Sequence, residues 1–152
     1  MQKERCTWVA VSKAHLAKYL PMVKSIYQAE EAYYLANGEY TKDLPLLDIE
    51  VALEEACIYK NSDPEHSYYR CENVSIGVYD NATNVQVQTR NIGYLQFLTD
   101  DESEDFNESL KKGDIMCLSA DDTAKKVCRS LGPIKKEKEV SAGPWTYMVI
   151  LQ

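Results

Sequence analysis

Five cysteines, Cys6, Cys57, Cys71, Cys117 and Cys128, are the residues of this 152-residue chain whose spacing says most about chemistry. A cysteine can bind a metal, attack an electrophile or oxidise to a disulfide. Zinc sites usually supply at least one close pair of the C-x-x-C kind, and no such pair occurs here. Four of the five instead define two short loops, Cys57 to Cys71 and Cys117 to Cys128, the second enclosing CLSADDTAKKVC. Four cysteines allow three pairings and the sequence alone does not choose among them, though sequential pairing needs the least rearrangement of the chain. Each bridge would contribute roughly 3 kcal/mol on the chain-entropy argument. Such bridges imply an exported, oxidised domain, with Cys6 left over near the start.

Other reactive groups are less organised. The acidic stretch Asp101 to Ser109 offers oxygen ligands for calcium, centred on Asp101 to Asp105, but lacks the alternating acids, central glycine and closing glutamate of an EF-hand. It is read as a solvated loop, and no other cofactor is implied. His15 and His66 stand apart from any triad or metal pattern and receive no role. Motifs of the G-x-S-x-G, H-E-x-x-H and phosphate-loop kinds are absent, so the chain is not read as an enzyme. The tyrosine stripe of residues 19, 27, 33 and 34 is read as packing, with hydroxyls left wet.

The formal charge of −7 argues against nucleic acid as the main partner. Charge is uneven: Lys3, Arg5, Lys13, Lys18 and Lys24 face only Glu4 near the start, and the remainder is acidic. A basic end on an acidic body suits a protein held near an anionic surface, and a solvated helix face explains it equally well. The apolar run Trp8 to Val11 is too short to span a membrane, and no signal peptide with a charged tip and apolar middle is visible.

The elements that must position these groups follow from periodicity. Over Val11 to Asn37 the apolar positions Tyr19, Leu20, Val23, Ile26, Tyr27, Tyr33 and Tyr34 recur at helical spacing. One long amphipathic helix is expected, kinked at Pro21 and closed by Asn37-Gly38. Residues 38–66 read as an ordered connection. Strands are expected at Ser67 to Arg70, Val74 to Tyr79, Val85 to Thr89 and Tyr94 to Leu98, joined by turn residues into an antiparallel meander. The alternation of VQVQ puts valines under the helix and glutamines on the far face. A strand at Ile115 to Leu118, a short helix capped by Asp121 or Asp122 and running to Leu131, a surface loop at Lys135 to Glu139 and a strand at Trp145 to Leu151 complete the chain.

Three blocks in this order carry a family resemblance: LPMVKSIYQAEEAYYLANGEYTKDLPLLDIE (Leu20 to Glu50), NATNVQVQTRNIGYLQFL (Asn81 to Leu98) and MCLSADDTAKKVCRSLG (Met116 to Gly132). From about Ala14 onward the chain resembles a type IV pilin of the bacterial prepilin class. The resemblance implies an α+β fold: a long N-terminal amphipathic helix on an antiparallel β-meander, with a disulfide-closed C-terminal region. In that family the first half of the helix is an apolar stalk that anchors the subunit in the inner membrane and later fills the filament core. The globular domain faces outward, and the C-terminal cysteine pair staples a surface loop.

The family also begins with a basic leader, a glycine before an aromatic residue, a glutamate and a long apolar stretch, none of which occurs in Met1 to Lys13. The chain therefore reads as one domain over residues 1–152, with 1–37 a stalk remnant, 67–98 the meander and 99–152 the C-terminal region. The implied function is a structural subunit of a surface filament. The alternatives are a pseudopilin of a type II secretion system or a stalkless exported binding module. The residues expected to matter are Cys57, Cys71, Cys117 and Cys128 for stability and Leu16, Leu20, Val23 and Tyr27 for helix packing. The implied partners are other subunits and the assembly machinery, at the cell surface after anchoring in the inner membrane.

Overall fold

The computed structural model describes residues 16–47, 49, 56–100, 110–139 and 145–150. The expectations for Cys6, for the helix before Leu16, for the acidic loop and its calcium, and for Leu151 lie outside the described residues. An N-terminal helix packs on an antiparallel sheet carrying two disulfides, an α+β architecture.

Helix α1 spans Tyr19–Asn37. Pro21 falls in its first turn, where a missing N–H costs least. The helical residues Leu16 and Ala17 precede a turn at Lys18, so the disturbance expected at the proline appears as an interruption just ahead of it. The ring of residue 21 opposes the carbonyl four residues earlier, that of Ala17, which places the break there. Gly38 closes α1 in the left-handed conformation, φ 78°, with its N–H donating to the Tyr34 carbonyl at 2.8 Å.

The sheet has eight strands: β1 Cys57–Lys60, β2 Ser67–Cys71, β3 Ser75–Tyr79, β4 Asn84–Gln88, β5 Ile92–Phe97, β6 Ile115–Ser119, β7 Ile134–Glu139 and β8 Thr146–Ile150. They lie in the order β1-β2-β3-β4-β5-β6-β8-β7, every neighbouring pair antiparallel. Two strands correct the sequence reading. Residues 57–60 fall within the stretch taken as a connection, and residues 134–139 were taken as a surface loop. Both are edge strands, where one side of the ladder is open. The Lys135-Lys136-Glu137 run in β7 is charge that blunts such an edge rather than a sign of irregular backbone. Helix α2, Asp122–Ser130, begins at the Asp121 cap, whose Oδ1 accepts from the Ala124 N–H at 2.9 Å.

The two faces of the sheet differ. The register aligns Tyr69, Ile76, Val87, Tyr94 and Cys117 on one face, called face A, and Arg70, Ser75, Gln88, Gly93 and Leu118 on the other, face B. Face A carries the main core, in which Val23 and Ile26 of α1 and Ala124, Val127 and Cys128 of α2 pack on Ile76, Val78, Val85 and Tyr94. Both helices thus cover face A. A smaller cluster of Phe97, Leu110, Met116 and Val149 lies on face B. Gly77 is required where β2 and β3 approach: a Cβ there would fall against the Ser67 carbonyl oxygen and Tyr68 Cα. Among the described residues no helix is long and apolar enough to cross a membrane.

Candidate functional site

The four cysteines pair sequentially. Cys57 and Cys71 are directly opposite in the β1–β2 register, Cα atoms 4.2 Å apart, so this bridge ties the edge strand to the strand beside it, its only neighbour among the described residues. Cys117 and Cys128, with Cα atoms 5.7 Å apart, join β6 to α2, and neither has any exposed surface. The second bridge is therefore a core element pinning a helix to face A, not the staple of a surface loop that the resemblance implied. The same helix is held from another side: Asn91 Nδ2 in the β4–β5 turn donates to Asp121 Oδ2 at 2.6 Å, and the Ala120 N–H donates to the Asn91 carbonyl at 2.9 Å.

Of the helix residues expected to pack, Val23 is fully buried, and Leu16, Leu20 and Tyr27 pack half-buried against the same core. The buried stripe runs Tyr19, Val23, Ile26 and then Glu30, which has no exposed surface. Periodicity continues the apolar stripe onto this acid, a signal the sequence reading did not use. Glu30 Oε1 accepts from the Thr41 N–H at 3.0 Å, and Oε2 is buried without a hydrogen-bond partner. Burial pushes its carboxyl up to about 7, opposed by the Thr41 bond and reinforced by the charge of Glu31. The single Thr41 bond does not offset the burial of the charged form, so the proton is held more tightly than on an exposed carboxylate. The bond nonetheless holds the start of the 41–47 loop to α1, while Ser67 Oγ accepts from the Leu44 N–H further along.

Beside it, Glu31 Oε1 accepts from Lys112 Nζ at 3.0 Å and from the Tyr40 hydroxyl at 2.6 Å. The Lys112 ammonium lies 5.8 Å from the Tyr34 ring centroid and 5.5 Å from that of Tyr40. Tyr40 and Glu31 hold this lysine above the usual ammonium range. The cluster joins the turn just before β6 to the last turns of α1. At the other end of α1 the fully buried Tyr94 donates its hydroxyl to the Leu16 carbonyl at 3.0 Å, and burial raises its phenol. The arrangement is one of fastening: polar bonds tie Leu16, just ahead of α1, to β5 and Glu31 of α1 to the turn before β6, and apolar packing holds the helix between them.

A cleft of about 500 Å³ opens at the end of the sheet between Leu16 and Tyr19 and the β2–β3 and β4–β5 turns. Arg70 and Arg90 contribute to its wall. The register places Arg70 on face B while Leu16 and Tyr19 belong with face A, so its side chains do not converge on one point.

A second cluster lies at the opposite end. Ligand atoms of Glu65, His66 and Asp80 lie within 4.8 Å of one another. The imidazole is already engaged, since His66 Nδ1 accepts from the Asp80 N–H at 3.0 Å. Metal-bound histidines instead donate their free nitrogen to a carboxylate or carbonyl, so the arrangement is that of a hydrogen-bonded neutral imidazole. Asp80, Asn81 and Ala82 follow with φ of 54°, 56° and 61°, three successive left-handed residues without a glycine. Each costs about 1–2 kcal/mol, and the composition of this turn, read only as turn chemistry, did not reveal it.

The chain matches no protein-family model, no curated protein and no solved structure.

Proposed function

We propose that the chain is a structural subunit of an extracytoplasmic filament of the type IV pilin kind, displaying its disulfide-bonded domain outward and assembling with further copies through its N-terminal helix. The observation that carries this reading is α1 laid on face A of the sheet and fastened at Leu16 just ahead of it and at Glu31 within it, with α2 pinned to the same face by the buried Cys117–Cys128 bridge. Oxidised cysteines fit an environment outside the reducing cytoplasm. The role so proposed is mechanical, and it uses all four described cysteines in bridges.

The test is to shear surface filaments from the native host and assay the fraction for this chain by mass spectrometry. Recovery in filaments, with both bridges intact, is expected; recovery only as soluble monomer overturns the proposal. Reading the coding DNA upstream of Met1 for a basic leader and an apolar stretch is a second, independent check. A short periplasmic assembly in place of surface filaments would redirect the reading to a pseudopilin.

A further inference from the structure

We propose that His66 is a proton-operated latch on the β3–β4 turn, closed when its imidazole is neutral and released when it is protonated. The closed state is the one observed. The Nδ1 lone pair accepts the Asp80 N–H at 3.0 Å, and one residue later the Asn81 N–H donates to the Glu65 carbonyl at 2.9 Å. Both acceptors belong to the loop between β1 and β2, so that loop holds the turn from outside. The turn needs holding, because Asp80, Asn81 and Ala82 all occupy left-handed conformations that L side chains disfavour.

An imidazole accepts a hydrogen bond only when neutral; the imidazolium carries donors on both nitrogens. Protonation therefore sets N–H against N–H across the closed contact. Carboxylates surround the ring. Asp63 Oδ2 lies 4.0 Å from Nε2, Asp80 Oδ1 lies 3.9 Å from Nδ1, and Glu65 belongs to the same cluster. Beyond them, Lys42 of the 41–47 loop donates to the Asp63 carbonyl at 3.4 Å. On the strands, the Tyr79 ring of β3 lies 5.1 Å from the imidazole and stacks on Tyr68 of β2. Distances near 4 Å are too long for hydrogen bonds, and closing them requires the Asp80 backbone to move away from Nδ1 while its carboxylate moves in.

That movement has a defined route onward. Asp80 Oδ2 accepts from Asn84 Nδ2 at 3.0 Å, and Asn84 Oδ1 accepts from Gln86 Nε2 at 2.8 Å. Asn84 is buried and its Nδ2 also donates to Thr83 Oγ1 at 3.3 Å, so a shift of Asp80 redistributes the bonds of a buried amide that has few alternatives. The latch thus couples the proton on His66 to the shape of an exposed turn and to the polar rows of face B. Histidine is the side chain whose charge changes between about pH 5 and 8, so acidification over that range is the signal. This inference does not depend on the filament reading.

The experiment is amide and imidazole NMR of the full chain across that pH range. The Asp80 and Asn81 amides are expected to shift with the midpoint of the His66 ring carbons, and Asp80 amide exchange, corrected for intrinsic pH dependence, to speed about fivefold to tenfold on release. His66→Phe keeps a ring beside Tyr79 and removes the acceptor, so both amides should lose that midpoint. An Asp80 amide unmoved while the His66 ring titrates overturns the latch. So does an amide that follows only carboxylate ionisation near pH 4, or one that titrates unchanged in His66→Phe. If that variant does not fold, the co-titration in the parent chain decides by itself.

Discussion

Glu30→Gln should make the protein more stable at alkaline pH while leaving it nearly unchanged at mild acidity. The reason lies in the site. Glu30 is fully buried, one oxygen accepts from Thr41 N–H, and the other has no partner. The folded carboxyl titrates at about 7 against a model value of 4.5. Between these values the folded chain binds the proton and the unfolded chain does not, so stability is fully present below about pH 4.5 and falls as pH rises through 7. At 1.36 kcal/mol for each pKa unit the ceiling is about 3 kcal/mol; relaxation of water around a group so near the half-buried Glu31 and the exposed Lys112 reduces this to about 1–2 kcal/mol. Glutamine keeps an acceptor for Thr41 and copies the neutral acid. Urea unfolding of both chains, followed by circular dichroism from about pH 4.5 to 8.5, reads the difference directly. Curves that coincide at mild acid and diverge by about 1–2 kcal/mol at the alkaline end are expected. Parallel curves across the range would mean that Glu30 ionises as an ordinary surface acid, and the account of its burial would be wrong.

The two bridges should behave differently when removed. Replacing Cys117 and Cys128 by serine should lower Tm by roughly 6–12 °C, from a loss of about 3 kcal/mol in a chain of this size; an unchanged Tm refutes the core role of that bridge. Replacing Cys57 and Cys71 should raise hydrogen exchange in β1 and β2 with a smaller effect on global Tm, because β1 has a single neighbour among the described residues. Gly77→Ala should cost about 1–3 kcal/mol, since the new methyl meets β2 backbone and not a movable side chain; a neutral result by urea unfolding contradicts the close approach. Lys112→Met keeps the stem over Tyr34 and Tyr40 but removes the partly exposed ion pair to Glu31, for a loss of at most about 1 kcal/mol that shrinks in high salt. A salt-independent loss would assign the effect to packing.

What the sequence made legible was whatever depends on local pattern. The 3.6-residue period of α1, the Asn37-Gly38 stop, the Asp121 cap and the six strands expected from the sequence all fall where periodicity and turn chemistry put them, within a residue or two. The edge strands escaped for one physical reason. None of the described residues of either strand is fully buried: β1 alternates half-buried with exposed residues, Ile58 among the exposed, and β7 is rich in lysine and glutamate, so neither shows the apolar content by which the other strands are recognised. The placement of β8 between β6 and β7 escaped for another: strand order is fixed by pairing across the sheet, to which neighbouring residues in sequence are blind.

The site residues divide along the same line. Cysteine pairing was open in the sequence and closes sequentially because β1 and β2 are consecutive strands, in register at Cys57 and Cys71, and because α2 follows β6 directly and returns over face A. Glu30 was hidden in plain view, eleven residues beyond Tyr19 on a stripe whose earlier members are apolar. A pattern of types registers an acid there as a break, whereas burial makes it the continuation of the stripe and the anchor of the next loop. His66 is the opposite case. Nothing in its neighbourhood along the chain marks it, and its partner, the Asp80 amide, is a backbone group that every residue but proline carries. Its significance comes from what that amide belongs to, a turn of three left-handed residues whose energy must be met from outside the turn. Side chains that bond to strained backbone are therefore where a sequence of this kind conceals its conformational control.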